Sequence, residues 1–245
     1  KLSKAIPSIK YKTGSRNTSF YFDAKDFAVV SDALQGLSLS KSSMEHLQNY
    51  FEDLAESDIA TEGPNLEHYS MQAIGGFKDK LTLADGSEVP ARLLSVQKKA
   101  LAWLEANGNN GVCALDTGVG KTLVAVSMMR KMMRDGYHES KDSNGRFLYV
   151  CPPSLRGNLP KEMFRFLEPD AAEDLYKRVD IMSYGQFRSA MRTGKFQGKP
   201  WSGDGYTGAF FDEAQAMKSL GSKTTQAALG WDNPHKILLT ASPME

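Results

Sequence analysis

A chain of 245 residues in which 30 Lys and Arg meet 29 Asp and Glu carries a net charge of +1, which excludes a uniformly basic nucleic-acid coat; any nucleic-acid contact must come from a local patch. A hydrophobic content of 41% excludes global disorder and allows one large domain, or a domain plus a smaller module. The residues given hold no secretory leader and no apolar run long enough to cross a bilayer, and His46, His68, His138 and His235 lack metal-ligand spacing.

In chain order, residues 8–22 (SIKYKTGSRNTSFYF) alternate apolar and polar about a Thr-Gly-Ser-Arg-Asn turn and predict a β-hairpin. In KDFAVVSDALQGL, Phe27, Val30, Leu34 and Leu37 recur at helical spacing; Met44, Leu47, Phe51 and Leu54 make a second stripe. Both stripes read as core-facing, giving a small α+β module over 1–62, with TEGPN (61–65) leading out of it. Residues 81–94 alternate about Asp85-Gly86, a hairpin turn, so 63–90 read as linker and hairpin. VQKKALAWLEANG then predicts a helix with Val96, Ala100, Trp103 and Leu104 facing inward, Gly108 past its end and Gln97 in its first turn.

From Gly111 the chain reads GVCALDTGVGKT: a short apolar strand, a glycine loop, then the helix-forming LVAVSMMRKMMRDG. This is the layout of a phosphate-binding P-loop. Thr117, Gly118, Val119 and Gly120 form a turn whose N–H groups, with the helix N-terminus, converge on one anion. Lys121 then reaches the β- and γ-phosphates of ATP, and the Thr122 hydroxyl is placed for Mg²⁺. Leu115 stands where the general pattern has glycine; the shorter T-G-x-G-K-T form fits Thr117 to Thr122. The Met128, Met129, Met132 and Met133 stripe reads as core, and YHESKDSNG as a surface loop. Four more apolar stretches, Phe147 to Cys151, Val179 to Met182, Ala209 to Phe211 and Ile237 to Thr240, predict strands between helices. The expected class is therefore α/β, a P-loop domain over 91–245 with a parallel sheet and helices on both faces. Cys113 and Cys151, each inside an apolar run, read as small core residues of a reducing compartment, cytoplasmic or nuclear.

The strand ends carry the chemistry. In AFFDEAQ an apolar run opens on Asp212, placed to hold Mg²⁺, and Glu213, left to orient a water against the γ-phosphate. In ILLTASPM, Thr240 and Ser242 sit where hydroxyls can sense the carboxylate pair; an ordinary turn after a strand explains that segment equally well.

In this order Gln97, LDTGVGKT, YVCPPSLRGNLPKEM, IMSYGQF, FFDEAQAMKSLGSK and LLTASPM resemble the first RecA-like lobe of superfamily 2 helicases, most closely the SWI/SNF-type DNA translocases, over about residues 90–245. The resemblance implies that Gln97 contacts adenine and that Gln215, Thr240 and Ser242 couple the nucleotide state to motion. It further implies that Pro153, Ser154, Arg156, Ser183 and Tyr184 contact DNA, double-stranded or branched, through its phosphates. Arg188, Arg192, Lys195 and Lys199, interleaved with Phe187, Phe196 and Trp201, read equally as a binding patch or a solvated loop. Gln215 replaces the family's usual His, Ser219 an Asn, and Asp116 lies one position off its acidic residue. The N-terminal hairpin and the helix after it resemble the HARP-like module of annealing helicases, which implies recognition of branched DNA. Because such motors close the nucleotide between two lobes, a second RecA-like lobe supplying an arginine finger is expected in a longer parent chain, and residues 1–245 alone are expected to hydrolyse ATP slowly. A helicase-like scaffold without catalysis is the alternative, and an RNA helicase the third reading.

Overall fold

The computed structural model describes residues 65–83, 85–139, 145–217, 219 and 221–241, and the backbone of 10–13 and 18–21. The helices expected between residues 23 and 54, and Ser242, lie outside the described residues. Strand β1 (Lys10–Thr13) pairs antiparallel with β2 (Thr18–Tyr21), Lys10 opposite Tyr21, as the expected hairpin.

Helix α1 (Met71–Ile74) is capped by Ser70, whose hydroxyl accepts the Ala73 amide. The second expected hairpin joins β3 (Lys80–Thr82) to β4 (Glu88–Pro90), and the Asp85 carboxylate holds its turn by accepting the Ser87 amide at 2.9 Å. Helix α2 (Ser95–Ala106) follows. It buries Gln97, Leu101, Ala102 and Leu104, whereas Trp103, expected inside, is 48% exposed. Its ring lies against Gly111, where an added Cβ would come within 2.7 Å of it. The buried arc is thus centred one residue away from the stripe read in the sequence, and Trp103 covers the start of the next strand instead.

From there strands and helices alternate: β5 (Gly111–Ala114), α3 (Lys121–Arg134), β6 (Phe147–Cys151), α4 (Asn158–Phe166), α5 (Pro169–Arg178), β7 (Val179–Ser183), α6 (Tyr184–Thr193), the short pair β8 (Lys195–Phe196) and β9 (Lys199–Pro200), β10 (Gly208–Asp212), α7 (Lys223–Leu229) and β11 (Lys236–Thr240). Five of these strands form one parallel sheet in the order β5-β11-β10-β6-β7. Every residue of β6 and β10 is buried, and apart from Asp212 at the end of β10 both strands are near-continuous apolar runs, as a sheet covered on two faces requires. Alternate side chains divide between two cores. Phe147, Tyr149, Phe210 and Leu239 join Leu101, Val124, Met128 and Leu175 on the α2–α5 face, while Leu148, Val150 and Phe211 join Phe187 and Trp231 on the α6–α7 face.

The α2–α5 core also holds a charged clasp. The Lys131 ammonium, 2% exposed, pairs with Glu105 and, at 2.7 Å, with Asp135, while the Tyr69 hydroxyl donates to Glu105. The segment before α1 is thereby tied to α2 and α3. Phe210 sits at the centre of the sheet with no exposed surface, its ring 6.3 Å from that of Phe147. Phe210→Ala is expected to lower the unfolding free energy by roughly 3–5 kcal/mol, the cost of an aromatic-sized cavity; urea titration followed by circular dichroism measures it.

Parallel strands put all their C-terminal ends at one edge, so the chain segments after β5, β6, β7, β10 and β11 meet there.

Candidate functional site at the carboxyl edge of the sheet

The segment between β5 and α3 turns on two glycines in the left-handed region, Gly118 at φ +87° and Gly120 at φ +83°. Gly120 is the N-cap of α3 and supplies no side-chain cap, so the first amides of a 14-residue helix are left for an anion. Lys121, buried to 8% exposure, folds back over this loop and places Nζ 3.4 Å from the Leu115 carbonyl. Gln97 is buried beneath the loop: Oε1 accepts the Leu94 amide at 2.8 Å and Nε2 donates to the Val119 carbonyl at 2.7 Å. The φ of Gly120 calls for glycine, and a Cβ there would lie 2.7 Å from that Nε2 and displace the Gln97 amide from Val119. The family resemblance implied an adenine contact for Gln97; that its side chain holds the loop's backbone was not legible in the sequence.

On the neighbouring strand end, Asp212 is 4% exposed and both its oxygens are engaged. Oδ2 accepts the Tyr149 hydroxyl at 2.6 Å and Oδ1 accepts the Glu213 amide at 3.0 Å. Burial pushes the Asp212 carboxyl above its ordinary range and the Glu213 charge adds to this, while Tyr149, the Glu213 amide and Lys121 oppose it. Burial, then the Asp212 charge, pushes the Tyr149 phenol well up, so it stays a donor; the Thr122 side chain interacts with the same hydroxyl. Glu213 adopts φ +52°, which a non-glycine residue takes only when its surroundings hold it. Here they do: Tyr184 donates to the Asp212 carbonyl at 2.7 Å, and the Gln215 amide donates to Glu213 Oε2 at 2.5 Å. Thr240, buried at the end of β11, donates to Gln215 Oε1 at 3.0 Å. Glu213, Gln215 and Thr240 thus form one side-chain chain between two strand ends.

The donor set suits a hard cation. Asp212 and Thr122 offer oxygen donors, and among the described residues no cluster of three or more His, Cys, Asp or Glu could make a metal cage. Mg²⁺ takes one or two protein oxygens and completes its shell with water and phosphate. Cys113 and Cys151 are buried free thiols, pushed by burial to about 11 and about 12.

Pro153, Ser154 and Arg156 are exposed on the 3₁₀ turn that follows β6. Ser183 caps α6, its hydroxyl accepting the Gln186 amide at 3.2 Å. Tyr184 differs from the expectation: its hydroxyl turns inward to the Asp212 carbonyl, so it is engaged with the carboxylate strand instead of being free for a phosphate. The aromatic residues interleaved with the basic ones are not a stacking surface. Phe187 is buried and its ring lies 6.4 Å from that of Trp201 within the α6–α7 core. Arg188 and Arg192 are exposed and, with Lys223, line a cleft of about 660 Å³ between α6 and α7.

No family model matches the chain. It is 25% identical over 251 residues to "Helicase SWR1" of Saccharomyces cerevisiae, covering 91% of this chain and 16% of that protein. Against "Chromatin-remodeling ATPase INO80" of Pyricularia oryzae it is 26% identical over 263 residues, covering 95% of this chain and 13% of that protein. Among solved structures, the Sulfolobus solfataricus SWI2/SNF2 ATPase core in complex with dsDNA is 21% identical with a TM-score of 0.46, covering 60% of this chain and 31% of that one. The chain therefore spans about a sixth or less of the length of these two curated relatives.

Proposed function

We propose that this chain, a homologue of the SWI/SNF-type helicase ATPases of superfamily 2, is the ATP-binding lobe of a DNA-dependent motor. The observation that carries the reading is the convergence of Lys121, Thr122, Asp212 and Glu213 at one sheet edge, with Glu213 joined through Gln215 to Thr240.

In this reading the amides of the 117–122 turn cradle the β-phosphate, and Lys121 exchanges the Leu115 carbonyl for the β- and γ-phosphates. Thr122 and Asp212 would hold Mg²⁺, which when bound would neutralise charge that develops on the phosphoryl group. Glu213 orients the attacking water and takes its proton; Gln215 and Thr240 report the state of that carboxylate to the β11 end, and Ser242 lies two residues further on. Gln97 serves the nucleotide site by holding Val119, besides any contact with adenine. Pro153, Ser154, Arg156 and Ser183 offer phosphate contacts at the same edge, and the inward Tyr184 links that face to the carboxylate strand. The DNA assignment draws support from the chromatin-remodeling ATPases among the relatives. The buried thiols fit a reducing compartment, nuclear or cytoplasmic.

The test is ATP hydrolysis by the full-length protein without nucleic acid, with duplex DNA, with single-stranded DNA and with RNA. Duplex is expected to stimulate turnover most. Nucleotide binding with no stimulated turnover would favour a non-catalytic scaffold, and a preference for RNA would overturn the DNA reading.

A further inference from the structure

Tyr149 lies in the middle of β6 with no exposed surface, surrounded by the α2–α5 core. Packing alone is met by phenylalanine, the same ring without a hydroxyl that burial makes costly. The hydroxyl is instead bonded to one of the two side chains assigned to Mg²⁺ and interacts with the other: it donates to Asp212 Oδ2 at 2.6 Å and meets Thr122. With the Glu213 amide on Oδ1, both oxygens of Asp212 are held, and the plane of the carboxylate is fixed. Each oxygen has two acceptor sites, so one per oxygen stays open to a cation.

We propose that Tyr149 is a positioning residue of the cation site, holding the Asp212 carboxylate in a fixed orientation toward Thr122 so that the two can share one Mg²⁺. This inference rests on the nucleotide reading above. Without the hydroxyl, Asp212 loses a short charge-assisted bond in a buried setting and is free to turn about its side-chain torsions. The defect is confined to the metal, since Tyr149 touches no loop amide assigned to the phosphates.

The experiment is a titration of the full-length protein and its Tyr149→Phe variant with a fluorescent ADP analogue, first in chelator and then at increasing Mg²⁺. Melting temperature without nucleotide serves as the check on folding. Tyr149→Phe is expected to raise the Mg²⁺ concentration giving half-maximal enhancement by roughly 10–100-fold, the effect of one hydrogen bond to a charged group. Metal-free affinity is expected to stay close to wild type, and the variant to keep a cooperative melt lowered only by the loss of one buried hydrogen bond. An unchanged Mg²⁺ requirement, or an equal loss of affinity with and without metal, would overturn the proposal. Wild-type protein that binds no nucleotide at all would instead overturn the nucleotide reading, and this inference with it. Should the variant melt early, Tyr149→His, which keeps a ring donor, provides the second reading: partial recovery of the wild-type Mg²⁺ requirement supports positioning, and no recovery in a folded variant contradicts it.

Discussion

Lys121→Ala is expected to lower DNA-stimulated ATP hydrolysis by roughly 10²–10³-fold, the usual cost of removing one positioned charge-stabilising donor, and to weaken nucleotide binding as well. The ammonium is held by burial and by the Leu115 carbonyl, a neutral partner at the long end of hydrogen-bonding distance. A phosphate offers it a charged acceptor in its place, and that exchange stabilises bound ATP as well as the transition state. The fold does not rest on the ammonium: the α3 residues that fill the core are Val124, Met128, Met129 and Met132. Steady-state hydrolysis and a thermal melt of the same preparation separate loss of chemistry from loss of structure.

Glu213→Gln is expected to behave differently, with turnover reduced by roughly 10²–10⁴-fold, the range for a general base, and ATP still bound. The substitution keeps the size of the side chain and an oxygen that can accept the Gln215 amide, so the left-handed backbone at 213 is held as before. What is lost is the capacity to take a proton from water. A fall in kcat at an unchanged dissociation constant for ATP is therefore the signature, against a fall in both for Lys121→Ala. Equal defects in the two variants would mean that Glu213 supports the loop and not the chemistry.

The parallel sheet was legible because its central strands β6 and β10 are buried on both faces and read as apolar runs; β6 matched its expected limits, β7 and β11 extended theirs by one residue, and β10 by one residue at each end. The glycine turn between β5 and α3 was legible because Gly118, Gly120 and the helix-forming run after them lie in one continuous segment. Contacts between distant segments were not. Gln97 reaches Val119 across 22 positions and Tyr149 reaches Asp212 across 63, and no periodicity in the chain marks either pair. Tyr149 in particular is indistinguishable in the sequence from any other large residue of a buried strand. The basic segment from Arg188 to Lys199 stayed open in the sequence for a related reason: an aromatic such as Phe187 or Trp201 near an arginine reads alike whether it faces a ligand or packs in a core, and only the fold decides.

The measurement that bears most directly on the site is calorimetric titration of ATP into the full-length protein, with and without Mg²⁺, beside Lys121→Ala. Saturable binding that Mg²⁺ tightens and the variant loses is the expected result. Binding of equal strength in wild type and Lys121→Ala would contradict a nucleotide site at the Gly118–Thr122 turn.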